Sequence, residues 1–398
     1  MRATGVGPGR LTVFLLFMML VLHNMQRTAV VPIFVPLQDR LGTDYAGVGA
    51  LFAAYVLGYA VLQMVAGLAH TQLNPRVLLL AGLAASAALS LAFALAESYP
   101  VALILRFLLG AIGAALYTPS LSVAITGFEP SRRGRVMGLM QSGAGIGSIA
   151  ALTALPVACS LLGMTGGLMT LPILCGLTYV VVALRFDAAV DHAPTSVSDS
   201  DGAGFGRGRA FWQLLAVSFV GMLATYGLLV WLPTYLTDAF GYSTVSAGSL
   251  AAIPSLALMV AAPAVGRLAD LHDGRFRVVM GGSLMAVVCY ALLGVLHLPA
   301  LVLLLSALIG ISLAATTAPF ILLAGECFKR QIVSRVVALM AAVAQGGATL
   351  AGVLFGIVLS HGSGFDAVWV VCAVLAGIRV VTLIPAAGRR ANHVAPAG

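Results

Sequence analysis

The chain alternates long apolar runs with short polar breaks. In its first half the runs fall at about 11–37, 45–69, 76–96, 99–127, 135–155 and 165–186. In its second half they fall at about 211–236, 244–269, 277–297, 299–324, 335–360 and 366–386. Each is long enough to cross a hydrocarbon core of about 30 Å as a helix. Lipid offers backbone amides no partners, so each run must satisfy its own, and a helix does this. Spans of a membrane β-barrel would be nearer ten residues and would alternate polar and apolar positions. These runs do not alternate. The pattern predicts an all-α polytopic membrane protein of twelve transmembrane helices. Its weakest break is Gly163 to Gly167, between the fifth and sixth runs.

One stretch departs from the rhythm. Residues 187–210 (DAAVDHAPTSVSDSDGAGFGRGRA) are polar and rich in Ser, Asp and Gly. Such a segment buries too little apolar area to fold on its own and reads as a flexible linker. It divides the chain into a six-helix bundle over 1–186 and a second over 211–398.

Composition narrows the class. Of 398 residues 61% are hydrophobic and 9% are charged. Soluble domains carry about 25% charged residues, so this chain cannot cover a water-exposed surface. The net charge is +8. Its cations are dispersed in short loops, which argues against nucleic acid as a partner. Cys159, Cys175, Cys289, Cys327 and Cys372 lie in or beside apolar runs, at no metal-binding spacing. They read as small core residues. The first run is too long for a cleaved signal peptide and reads as the first span.

The cations also set the orientation. With the N-terminus inside, seventeen Lys and Arg fall on the inner side and only Arg40 on the outer. That is a positive-inside signal. It predicts a multi-pass protein of the cell inner (cytoplasmic) membrane with both termini in the cytoplasm.

The two halves repeat each other. Asp39, Gly42, Gly49, Gly67 and Arg76 recur 199 residues later as Asp238, Gly241, Gly248, Gly266 and Arg275. Arg135, Val136, Leu139 and Met140 recur 200 residues later as Arg335, Val336, Leu339 and Met340. Repeated bundles in one membrane chain are the usual build of a secondary transporter, with solute bound near the midplane. Duplication in a non-transporting sensor or assembly factor is the alternative.

Two motifs carry a family resemblance. The segment Gly266-Arg-Leu-Ala-Asp270-Leu-His-Asp-Gly274-Arg275 resembles the loop signature of the major facilitator superfamily. Its first-half copy, Gly67-Leu-Ala-His-Thr71-Gln-Leu-Asn74-Pro-Arg76, has Thr71 and Asn74 where the family has Asp and Gly. Arg106-Phe-Leu-Leu-Gly110-Ala-Ile-Gly113 looks like the family's fourth-helix motif. The resemblance covers essentially the whole chain. It implies the fold of two pseudo-symmetric six-helix bundles, transport by alternating access, and gating by Gly266, Asp270, Gly274, Arg275, Arg135 and Arg335. Gly58-Tyr59, Gln63, Tyr226-Gly227 and Trp231-Leu-Pro-Thr-Tyr235 lean toward the anion:cation symporter branch. That branch has an Asp where this chain has Gln26.

Chemistry inside the spans points the same way. An ionisable residue within a span is costly and usually functional. Arg27 and Arg106 lie about ten and seven residues from the outer ends of the first and fourth spans, hence at similar depth. All thirteen acidic residues map to loops or span ends. Two guanidinium groups at one level could hold a carboxylate or phosphate, so an anionic solute is the expected partner. For Arg106 the alternative is a structural arginine bonded to carbonyls, and for Arg27 it is snorkelling. His23, one turn from Arg27, could carry a proton or serve as a packing residue. Asn24, Gln63, Tyr117, Gln141, Tyr226, Trp231 and Gln345 complete the candidate solute contacts.

The run Ser142-Gly-Ala-Gly-Ile-Gly147 lacks the strand and lysine of a phosphate loop and reads as a helix-packing stripe. No catalytic constellation, metal site or cofactor motif is present in the sequence. The function expected is proton-coupled or exchange transport of a small organic anion by a monomer in the lipid bilayer. An efflux pump for drugs or amphipathic metabolites is the first alternative and a sensor the second.

Overall fold

The computed structural model describes residues 10–68, 74–126, 130–185, 208–271, 274–326, 328 and 330–393. Among these residues every regular element is helical. The first half comprises α1 (Arg10–Thr28), a short 3-10 turn (Val31–Ile33), α2 (Phe34–Leu41), α3 (Tyr45–Leu68), α4 (Pro75–Leu95), α5 (Tyr99–Thr126) and α6 (Pro130–Arg185). The second comprises α7 (Arg209–Phe240), α8 (Thr244–Ala251), α9 (Ile253–Ala269), α10 (Gly274–Leu293), α11 (Pro299–Thr316), α12 (Ala318–Glu326), α13 (Arg330–Ser360) and α14 (Gly364–His393). Residues 187–207 of the expected linker and 69–73 of the degenerate first-half motif lie outside the described residues.

Among the described residues eleven helical runs are long and apolar enough to cross a membrane, one of them the 48 residues Gly138–Arg185. A straight helix of that length would reach about 72 Å, more than twice the hydrocarbon thickness. It is not straight. Gly163 has φ 74° and ψ 169°, a conformation that ends a right-handed helix. Beyond it Gly167 lies against the backbone of Cys159, so the chain doubles back. The two limbs are separate crossings, which makes twelve. The weakest break in the hydropathy pattern is therefore a tight reversal made by one glycine.

Proline breaks two other spans. Pro32 has no amide proton, and its ring clashes with the carbonyl four residues back. Accordingly α1 stops at Thr28 and resumes, through the turn, as α2. Pro319 acts similarly: α11 stops at Thr316, Thr317 takes φ −101° and ψ −88°, and α12 follows. Each break leaves carbonyls without an intrahelical donor.

Contacts divide the chain into two compact units. Of the described residues, the first unit holds those up to 43, from 50 to 185 and 243–249; the second holds 44–49, 208–242 and those from 250 to 393. In the first, α1 packs on α5 and α6, and α4 packs on both of these. In the second, α7 packs on α13 and α14, and α10 lies against α11 and α14. Lipid is as apolar as leucine, so close backbone approach rather than hydrophobicity must hold such helices together. Glycine supplies it at repeated positions. Gly110 abuts the Tyr55 carbonyl, and Gly310 abuts that of Pro254. Gly147 abuts the Val21 carbonyl, and Gly347 that of Phe219. Leu161 and Val260 remain 77% and 76% exposed, as suits side chains facing lipid tails rather than water.

Candidate functional site

In the first unit the predicted polar residues gather around the end of α1. His23 is 2% exposed and is enclosed by Tyr55, Tyr59 and Tyr117, with ring centroids at 5.9, 5.0 and 5.4 Å. Gly113 on α5 makes room for it, since a Cβ there would meet its Nδ1 at 2.6 Å. The Tyr55 hydroxyl lies 3.1 Å from both the His23 carbonyl and its Nδ1. A hydroxyl has one proton; given to the carbonyl, it leaves oxygen lone pairs to accept from Nδ1–H. The imidazole is thus held from several sides in an apolar, aromatic cage.

Around the cage lie the amides. Gln63 Nε2 donates to the Tyr59 hydroxyl at 3.2 Å, and the Tyr117 hydroxyl donates to Gln141 Oε1 at 3.5 Å. Asn24 is half-buried and donates to the Leu20 carbonyl. Gln26, where the resembled branch has Asp, is buried and donates to Cys175 Sγ on α6. Arg27 is half-buried, close enough to His23, Tyr55 and Tyr59 for its charge to act on them. The structure brings Arg27, Gln63, Tyr117 and Gln141 together around His23, while Asn24 turns back to its own helix beside Gly147 of α6.

Arg106 stands apart from this group. It is 1% exposed, and all three of its nitrogens donate to main-chain oxygens: Nε to Leu51, Nη1 to Gln26 and Nη2 to Arg27. Its guanidinium also lies 4.6 Å from the centre of the Tyr55 ring. Two of its carbonyls belong to the last turn of α1, ahead of the Pro32 break, and cations are favoured at a helix C-terminus. This corrects the expectation of paired solute arginines. Arg106 clamps α1 to α3 and α5, and through the Arg27 carbonyl it fixes the backbone of Arg27.

The second unit holds a cavity of about 350 Å³ that Tyr226 and Gln345 both line. Trp231, expected beside them, is fully buried, and its Nε1 donates to the Ala351 carbonyl on α13 at 3.3 Å. Its indole joins α7 to α13 and does not line the cavity. The cavity is lined by a residue that the sequence reading missed, Arg379 on α14. Arg379 lies within the last apolar run, so the rule that singled out Arg27 and Arg106 applies to it equally. It is 9% exposed; Nη2 donates to the Thr316 carbonyl at the α11 break, and Nε has no partner.

The described ends of the Gly266–Arg275 signature pack closely on either side of residues 272–273, which lie outside the described residues. The Asp270 amide donates to the Gly266 carbonyl at 3.1 Å and ends α9. A Cβ on Gly274 would strike the Leu268 carbonyl, so glycine is required there. Arg275, half-buried, places Nη2 3.8 Å from Oδ1 of the exposed Asp270. Arg335 is half-buried on α13, and the side chain of Arg135 lies outside the described residues. Within the stripe Ser142 to Gly147, Gly143 touches Phe17 and Gly147 touches Val21, so the stripe seats α6 on α1.

The model of the Major Facilitator Superfamily matches residues 16–326 and 246–397. The chain belongs to that superfamily. It is therefore a multi-pass membrane protein of a transporter family rather than an enzyme. It is 24% identical over 290 residues to a probable chloroplastic anion transporter 4 of Oryza sativa subsp. japonica, covering 67% of this chain and 49% of that one. It is 25% identical over 261 residues to a probable L-galactonate transporter of Escherichia coli (strain K12), covering 61% and 57%. The matched region thus spans about half the length of these relatives. In fold it is similar to a bacterial homolog of the human lysosomal transporter Spinster, with a TM-score of 0.71 at 17% identity over 94% of this chain and 93% of that one.

Proposed function

We propose that this chain is a secondary active carrier of a small organic anion, working by alternating access in a cell inner membrane with both termini in the cytoplasm. One observation carries the reading. Helices α1, α3, α4, α5 and α6 contain no Asp or Glu at all, yet α1 and α5 bring Arg27 and Arg106 into the membrane. A cation among low-dielectric helices that carry no acidic side chain favours an anion as its transient partner. Arg106 gives its nitrogens to carbonyls; Arg27, one turn beyond His23 on α1, is the arginine proposed to meet solute. Asn24, Gln63, Tyr117 and Gln141 supply neutral hydrogen bonds around it. The relatives named as anion and L-galactonate transporters support the same substrate class.

Acid-free helices also bear on coupling. Proton symport through a membrane carboxylate has no carboxylate to use in these five helices, and His23 is sealed in its tyrosine cage. Exchange of one anion for another needs no such carrier, and the geometry favours it. The Asp270–Arg275 pair is the proposed gate element at the end of α9.

Purified protein in liposomes loaded with L-galactonate tests the reading. Uptake of labelled external anion should be stimulated by internal anion and should persist without a proton gradient. Arg27→Gln should lower it at least tenfold, while His23→Gln should retain anion exchange. Uptake indifferent to Arg27 would overturn the anion site, and uptake that requires a proton gradient would overturn exchange.

A further inference from the structure

The second-unit cavity has a chemistry unlike that of the His23 cluster. Its wall is mostly aliphatic and aromatic, with Met222, Leu258, Leu313, Phe320 and Met340 among its residues. At about 350 Å³ it falls within the range of small-molecule sites. Arg379 brings the guanidinium to this wall. Among the described residues no carboxylate lies within ion-pair distance of it.

The fold makes special provision for this side chain. Gly221 on α7 leaves space for it, since a Cβ there would come 2.7 Å from Nη1. Phe320 lies beneath it, with 5.5 Å from the guanidinium carbon to the ring centre. The Thr316 carbonyl takes Nη2, while Nε stays without a partner. A nine-tenths buried cation with an unused donor, beside a cavity walled by hydrocarbon, is complementary to one class of molecule. That molecule has an anionic head and an apolar body.

We infer that Arg379 and this cavity form a binding site for amphiphilic carboxylates, with the carboxylate on the Arg379 guanidinium and an aromatic or branched aliphatic body against Phe320, Leu313 and Met340. A carboxylate accepts charge-assisted N–H bonds from arginine, and the wall removes the body from water. A polyhydroxylated acid would meet a wall that is mainly hydrocarbon, with Tyr226, Gln345 and the Thr225, Thr316 and Thr317 hydroxyls among its polar part, and would bind less tightly. The site goes beyond the anion reading above, which places solute at Arg27 in the first unit; it lies within the second unit alone.

The test is equilibrium binding to purified full-length protein, with 2-naphthoate, its uncharged analogue 2-naphthamide and D-glucuronate as probes. Naphthoate should bind at least tenfold more tightly than either of the others. Arg379→Gln should erase the preference for naphthoate over naphthamide. Ala341→Trp fills the cavity and leaves Arg379 in place; it should lower binding of both naphthyl compounds at least tenfold. Equal binding of naphthoate and naphthamide by the unaltered protein would overturn the site, and so would undiminished binding by Ala341→Trp. These measurements stand even where Arg379→Gln does not fold. Binding with these properties but no flux in liposomes would refute the carrier reading alone. Flux dependent on Arg27 with no binding dependent on Arg379 would refute this inference alone.

Discussion

Arg106 and Arg379 solve one problem and end with different capacities. Each is an arginine buried within a membrane helix. Each reaches a carbonyl left over where a proline breaks a neighbouring span, at Gln26 and Arg27 in one unit and at Thr316 in the other. A helix C-terminus carries partial negative charge, so both sites lower the cost of burying the cation. Arg106, however, gives every nitrogen to the main chain, whereas Arg379 keeps Nε unpartnered beside a cavity. Depth in the membrane therefore does not separate a structural arginine from a binding one; the number of donors left over does.

Removing each arginine should break or sharpen that contrast most strongly. Arg106→Gln leaves three main-chain oxygens without their charged donor. Hydrogen bonds to charged groups contribute about 1.5–3 kcal/mol each, and losing the partner of a buried network costs about 3–5 kcal/mol. Arg379→Gln loses one such bond, so about 1.5–3 kcal/mol is expected. Thermal unfolding of the two purified variants should rank them in that order. Equal losses would mean that Arg379 is also a clamp.

The next effect concerns the glycine contacts common to both repeats. Gly110 and Gly310 stand 200 residues apart and abut the carbonyls of Tyr55 and Pro254. Valine at either site would force the helices apart at a cost of about 2–3 kcal/mol. Similar drops in melting temperature for Gly110→Val and Gly310→Val are expected. A much smaller loss at one of them would show that the repeat packs its two copies differently.

Much of this was legible in the sequence. Twelve spans followed from hydropathy alone, because lipid admits few other structures. The glycine of the α6 reversal was visible as a weak break. The cluster of Arg27, Gln63, Tyr117 and Gln141 was legible as polar residues in spans. What failed was partner assignment. Pro32 and Pro319 announce broken helices and orphaned carbonyls, but nothing local tells which helix will send an arginine to them. The carbonyl of Arg27 and the guanidinium of Arg106 are 79 positions apart. Depth arguments placed Arg106 beside Arg27 and could not reveal that its donors point at the backbone. Trp231 failed likewise, because an indole facing the next helix and one facing solute share the same sequence pattern. Arg379 needed no tertiary knowledge and was missed by inspection alone.

The smallest effect distinguishes the repeats at their helix starts. Asp44 Oδ1 accepts from the Gly47 amide at 2.9 Å and caps α3. At the position 199 residues on, Ser243 Oγ accepts from the Ser246 amide at 3.2 Å and caps α8. The first cap is charged and the second is neutral. The Gly47 amide, helped by the Ser360 hydroxyl, holds the Asp44 carboxyl below its ordinary pKa. A carboxylate whose pKa is depressed on folding adds stability above its unfolded value of about 4, and that stability is lost as pH falls through the lower folded value. Asp44→Ala should cost about 1 kcal/mol at neutral pH. The difference from the parent protein should begin to shrink as pH drops below about 4 and go on shrinking until pH passes through the lower folded value, where the parent cap is itself protonated. Ser243→Ala should cost a similar or smaller amount that does not change with pH. Melting temperatures of both variants and the parent at pH 7 and pH 3.5 decide it: a pH-independent Asp44→Ala deficit would show that the charge on this cap contributes nothing.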